Sequence, residues 1–335
     1  MATEQRDVRE PALEPELEIC DPHHHLWDRP GATYMLDELL DDLGQGHNVV
    51  STVFVECMSG YLQDGPEPLR PVGETPFVDA VAVAAAAREG APAVAAGIIS
   101  FADLTLGAAV GEVLDAHIAA SPRFRGIRHA AGWDGSADIR NSHTRPPQHL
   151  YLDPTFREGF AQLAARDLVF DAWLYHPQIL EVAELAEAFA DTTIVLDHFG
   201  GPLGIGPYTG LGDEVYAVWR RDIEELARRS NIVVKLGGLA MPLNGFDWHH
   251  APEPPTSEEL ADAQRPYHEA CIELFGTDRC MFESNFPVDR VSCSYSVLYN
   301  AFKRIAAGSS ADEKAALFRT TAETAYRLPG SAARS

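Results

Sequence analysis

Eight short runs of β-branched or apolar residues, separated by stretches with helical spacing, constrain the fold of this chain more than any other feature. The runs are Leu17–Cys20, Val49–Glu56, Val94–Ser100, Arg125–His129, Leu168–Tyr175, Thr193–His198, Ile232–Leu236 and Cys280–Glu283. Between several of them, as in Pro177–Ala190, Asp213–Ser230 and Ser257–Phe275, apolar residues recur every three or four positions. Strands alternating with helices predict an α/β fold with a parallel sheet, and about eight such units predict a (β/α)8 TIM barrel. The alternative is an open doubly wound sheet. That fold needs a glycine-rich phosphate loop after the first strand, where Asp21-Pro22-His23-His24-His25 stands instead. Residues 1–16, rich in Glu, Arg and Pro without periodicity, read as a flexible acidic tail, and 17–335 as a single barrel domain.

The chain carries 50 acidic and 26 basic residues, a net charge of −24, so nucleic acid and anionic membrane surfaces are excluded as main partners. The expected partner is a small-molecule substrate, with a homo-oligomer left open. The five cysteines form no C-x-x-C pair and suit a reducing compartment. With no signal peptide or membrane span apparent, the expected location is the cytoplasm. Cys57 reads as a buried, inert thiol.

Barrels of this class carry their reacting groups at the C-terminal ends of strands. Polar residues fall there repeatedly: His23 and His25, Glu56, Arg128 and His129, Tyr175 and His176, Asp197 and His198, Lys235, then Glu283, Asn285 and Asp289. In an extended strand His23 and His25 share a face and His24 points away, so the pair can grip one metal ion or flank one reacting group. A lone strand-end His or Asp is usually a satisfied hydrogen-bonding group. Convergence of so many on one rim favours a site. Lys235, inside an apolar strand, needs a carboxylate from the protein or from a substrate.

The pieces Asp21-Pro-His23-His-His25-Leu-Trp27, Leu196-Asp197-His198-Phe-Gly200-Gly-Pro202, Val234-Lys235-Leu-Gly-Gly-Leu239 and Phe282-Glu-Ser-Asn285-Phe-Pro287 resemble the amidohydrolase-2 family of the amidohydrolase superfamily. The resemblance implies a distorted (β/α)8 barrel. It also implies an activity among sugar-acid, pyrone-dicarboxylate or muconolactone-type lactonases and nonoxidative decarboxylases of aromatic acids. By position it assigns His23 and His25 to a divalent metal, zinc by ligand type, with His176 as third ligand and His198 as ligand or acid/base. A metal-independent site is the alternative, since some lactonase relatives keep the histidines without a metal.

Strand eight departs from the family. Where relatives have Ser-Asp-Trp-Pro this chain has Ser284-Asn285-Phe286-Pro287, and a neutral amide cannot act as general base. Three replacements stand open: His198, Asp289, or Glu283 on the same strand face as Asn285. Arg125, Arg128, Lys235 and Arg290 are candidate clamps for a substrate carboxylate, with Tyr175 and Trp248 as further substrate contacts. The long segments Met58–Pro76, Ala131–Asp153 and Met241–Pro255 read as lids, and their aromatic residues favour a cyclic substrate. The leading expectation is hydrolysis of a cyclic, carboxylated ester. Nonoxidative decarboxylation is the second, and an inactive binding protein on the same fold the third.

Overall fold

The computed structural model describes residues 8–329. Its principal strands are β1 (Glu18–His24), β2 (Asn48–Val55), β3 (Ala93–Ser100), β4 (Phe124–Arg128), β5 (Val169–Ala172), β6 (Ile194–Leu196), β7 (Ile232–Leu236) and β8 (Cys280–Phe282). All pair in parallel, in chain order. The sheet curls until β8 meets β1, where the Asn285 N–H donates to the His23 carbonyl (3.0 Å) and the His25 N–H to that of Phe286 (2.8 Å). At this seam the Asp21 carboxylate accepts the backbone N–H groups of His23 and Ser284, standing in for missing ladder bonds. The architecture is the expected (β/α)8 barrel.

Helices α1 (Leu36–Leu43), α2 (Glu74–Ala86), α3 (Val110–Ala120), α4 (Pro154–Phe160), α5 (Ile179–Ala188), α6 (Gly212–Ala227), α7 (Ser257–Phe275) and α8 (Tyr295–Ile305) follow the strands. The spacing-based range for α7 coincides with the helix, which starts at a capping box between Thr256 and Glu259. Strand β5 is shorter than its apolar run because the chain leaves the sheet after Ala172. Gly126 is required where β4 approaches β5, since a Cβ there would collide with the Val169 backbone.

Side-chain alternation sorts the strands into two layers. Phe54, Ile98, Phe170, Ile194, Val234 and Phe282 face outward into the helix-covered core. Val53, Ile99, Val169, Val195, Val233 and Met281 face inward, against Ala322, Ala325 and Tyr326 of the C-terminal segment. Two residues beyond four of those inward positions stand Asp171, Asp197, Lys235 and Glu283, all fully buried. An apolar floor is thus overlaid by a charged layer.

Residues 1–7 of the expected tail lie outside the described residues. Residues 8–16 lie against α8: Leu13 N–H donates to Asn300, Lys303 Nζ to the carbonyls of Leu13 and Glu14, and Ser294 Oγ to the Val8 carbonyl. This stretch is therefore held in place over its described length. All five cysteines are free and buried, and burial pushes the Cys57 thiol up to about 12, so it is inert as expected. No helix among the described residues is long and apolar enough to cross a membrane.

Candidate active site

Strand parity places His23 and His25 together, with ring centroids 4.9 Å apart, and His198 joins them at 4.5 Å from His23. His24 turns the other way, to Thr52 Oγ1 at 2.9 Å. His25 Nδ1 donates to the Val55 carbonyl (2.8 Å), a bond that fixes its tautomer and leaves Nε2 as the basic nitrogen. Burial first, then the Arg128 charge, holds His25 down at about 3, so its ring is neutral.

The charged layer beneath is internally paired. Lys235 Nζ donates to Asp171 Oδ2 (2.7 Å) and lies 3.0 Å from Asp197 Oδ1 and 3.1 Å from His23 Nδ1. Tyr326 from the C-terminal segment also donates to Asp171. Arg128 donates through Nε to Glu56 Oε1 and through Nη2 to the Glu56 carbonyl, each at 2.8 Å, and its Nη1 lies 3.4 Å from Asp197 Oδ2. Burial alone would raise Glu56, yet Arg128 and His143 hold its carboxyl at about 2.

His198 Nδ1 lies 2.6 Å from Glu283 Oε1. The carboxylate accepts that N–H, which leaves Nε2 with the lone pair. The glycines of Val234-Lys235-Leu-Gly-Gly-Leu239 make room for this pair: a Cβ on Gly238 would come within 2.5 Å of His198 Nδ1, and one on Gly237 within 2.5 Å of Glu283 Cγ. Gly238 and His198 both hold left-handed backbone, and Asn285 does as well. Gly238 adopts it freely, whereas His198 and Asn285, which carry side chains, mark strained, over-determined positions at one rim.

Above this layer opens a cavity of about 460 Å³, lined among others by His25, Arg128, Tyr175, His198 and Asn285. Asn285 Nδ2 donates to Asp289 Oδ1 (2.9 Å), and Asp289 is fully buried behind it. Burial pushes the Asp289 carboxyl up to about 7. Of the three expected lids, the second and third reach the cavity, through His143 and Met241 respectively; Met58–Pro76 does not line it.

Several expected site residues lie elsewhere. His176 accepts from the Leu203 N–H and meets Tyr208 edge-on, away from the His23 cluster. Arg125 lies near the start of β4 rather than at its end, so it sits toward the opposite rim and donates to the carbonyls of Pro122 and Phe124. Arg290 pairs with Asp42 over the Tyr34 ring. Trp248 stacks on Phe246 and is not among the cavity-lining residues. Lys235 is fully buried and answered by protein carboxylates. Sequence reasoning missed Asp171 and Trp173; Trp173 lines the cavity and meets the His198 ring edge-on at 4.9 Å.

A divalent cation fits the donors present, in a different set from the expected His23, His25 and His176. His23, His198 and Glu283 each bring a ligand atom within 4.8 Å of the others. Glu283 Oε2, 2.8 Å from His23 Nδ1 but out of line for a hydrogen bond, is buried without a hydrogen-bond partner. Two imidazoles and a carboxylate suit zinc by type. Four buried carboxylates, Glu56, Asp171, Asp197 and Glu283, surround the cations Arg128 and Lys235, an acidic surplus that a metal would offset.

A barrel whose strand ends converge on a histidine–carboxylate centre is the arrangement of an amidohydrolase, and the comparisons agree. The chain belongs to the amidohydrolase family, whose model matches residues 20–328. It is 34% identical to the uncharacterised protein y4mH of Sinorhizobium fredii, over 93% of this chain and 99% of that one. It is 30% identical to an L-fucono-1,5-lactonase of Burkholderia multivorans, over 62% of this chain and 64% of that enzyme. A crystal structure of an amidohydrolase from Burkholderia multivorans with bound zinc superposes with a TM-score of 0.69 at 25% identity, covering 93% of this chain and 99% of that one.

Proposed function

We propose that this protein hydrolyses a small cyclic ester, with His198 as general base. The observation that carries the reading is the 2.6 Å contact between His198 Nδ1 and Glu283 Oε1 at the edge of the cavity. It orients His198 so that Nε2 can take a proton from water, the role that the family resemblance gives to a strand-eight aspartate. Asn285 gives its N–H to Asp289, which turns its side-chain oxygen toward the attacking water as an acceptor. Asp289 is then a positioning residue rather than the base.

Water attacks the lactone carbonyl, and its proton passes to His198 Nε2. The second Nη2 N–H of Arg128, beyond the one given to the Glu56 carbonyl, faces the developing oxyanion. As the tetrahedral intermediate collapses, His198 returns the proton to the leaving ring oxygen, giving a hydroxy acid. A divalent metal held through His23 and Glu283, with His198 Nε2 kept for the proton, would supply Lewis-acid polarisation of the carbonyl. The similarity to a lactonase supports this reading.

The test is turnover of a lactone panel, followed by a pH indicator and by carbon dioxide detection, with His198→Ala as control. Acid release without carbon dioxide, lost in the variant, is expected. Carbon dioxide from hydroxy-aromatic acids would replace the reading with a decarboxylase. Thermal stabilisation by ligand without any turnover would replace it with a binding protein.

A further inference from the structure

We infer that Arg140, at the mouth of the cavity, recognises a carboxylate on the substrate and so selects anionic lactones over neutral ones. This inference rests on the lactone-hydrolase reading of the same site.

The first observation is the make-up of the wall. In a chain of net charge −24, the residues lining the cavity include Arg128 and Arg140 but no Asp or Glu. A random patch of this surface would be acidic. The second observation is that the other cations are committed. Arg128 spends three donors on Glu56 and Asp197, and Lys235 is sealed beneath the floor. Arg140 is exposed and, among the described residues, its guanidinium has no carboxylate partner. Most other arginines of this chain, such as Arg123, Arg166 and Arg229, pair with one.

The third observation fixes the position. The Tyr175 hydroxyl donates to the Arg140 carbonyl, tying this loop to a residue of the cavity wall. The Arg140 charge is felt at that hydroxyl, which burial pushes up to about 12 against its pull. Beneath the cavity the carboxylates of Glu56, Asp171, Asp197 and Glu283 take up Arg128 and Lys235, so the floor leaves no unpaired side-chain cation for a substrate carboxylate. An anionic substrate therefore enters with its carbonyl toward His198 and its carboxylate outward, where Arg140 offers a planar fork of donors.

The test compares two lactones that differ only in a ring carboxylate against a hydroxymethyl group, in wild type, Arg140→Ala and Arg140→Lys. Wild type is expected to favour the carboxylated lactone about tenfold or more in kcat/KM, through KM. Arg140→Ala should raise KM for that substrate by about 10- to 100-fold, leave kcat within a few-fold and leave the neutral lactone unchanged. Arg140→Lys should recover part of the loss. No preference in wild type, or equal losses on both lactones, overturns the inference.

If neither lactone turns over, the hydrolase reading is what fails, and binding decides the subsite. The probes are tetrahydropyran-2-carboxylate and tetrahydropyran-2-methanol, which hold no ester, titrated calorimetrically. Tighter binding of the carboxylate, lost in Arg140→Ala, upholds the subsite. Equal binding of both probes, or no effect of the variant, removes it.

Discussion

Asn285 donates its side-chain N–H to Asp289 across 2.9 Å, and this bond decides what an asparagine can do where the family resemblance leads one to expect an aspartate. With one N–H tied to Asp289, the NH2 end of Asn285 is anchored, and its side-chain oxygen is the acceptor left for the cavity it lines. Asn285→Leu is expected to lower kcat about 100-fold, because a misplaced nucleophile costs roughly that much. Circular dichroism should show an intact fold. An unchanged kcat would remove Asn285 from the reaction.

The pairing of His198 with Glu283 predicts a graded series. His198→Ala should cost about 10²–10⁴-fold in kcat, the usual range for a lost general base. Glu283→Gln keeps the shape but offers Nε2 or Oε1 with no charge, and should cost less. If Glu283→Gln is as damaging as His198→Ala, the carboxylate itself takes part in the reaction.

Metal content separates the two ligand sets. Elemental analysis should find about one equivalent of a divalent metal in the wild type, lost in His23→Ala and in Glu283→Gln. His176→Ala should retain it, because His176 faces Leu203 and Tyr208 instead. Loss of metal in His176→Ala with retention in Glu283→Gln would restore the set expected from family position.

Lys235→Met leaves Asp171 buried without a cation and Asp197 with Arg128 alone. A broken buried pair costs about 3–5 kcal/mol, so the urea midpoint should fall steeply. Adding Asp171→Leu to the variant should recover part of that loss. No recovery would mean that Asp171 is held by Tyr326 alone.

Acid sensitivity should trace in part to His117, far from the reacting groups. Its Nε2–H donates to the Phe101 carbonyl and its Nδ1 accepts from Thr75, so the neutral ring is satisfied, and burial lowers it to about 4. A folded value below the unfolded one means stability present above pH 6.5 and lost as pH falls toward 4. The loss attributable to His117 is about 3 kcal/mol over that window. His117→Gln should show a correspondingly smaller drop in urea stability between pH 7 and pH 4.

The barrel was legible because its strands are short apolar runs with a clear period, and the pairing of His23 with His25 because strand parity requires it. Position along the strand sorts Arg125 from Arg128: near the start and at the end of a five-residue strand, they lie toward opposite rims. Reading both as rim residues ignored the strand's direction. Asp171 follows from Val169 by strand parity, but nothing local marks an acid in that run as the partner of Lys235, distant in sequence. His176 was misplaced because family position says nothing of the turn after β5, which points its ring at Tyr208. Arg140 sits on an irregular loop, where no period predicts direction.

The Asp21 seam carries a consequence for motion. The bonds that join the last strand to the first run through His23, His25 and Asn285, whose side chains form the site itself. Any opening of the barrel at this seam therefore scatters the groups of the site at the same moment. A ligand lodged between His25 and Asn285 works as a staple across that seam. Amide protons of those two residues should then exchange more slowly in its presence, reporting occupancy without any turnover.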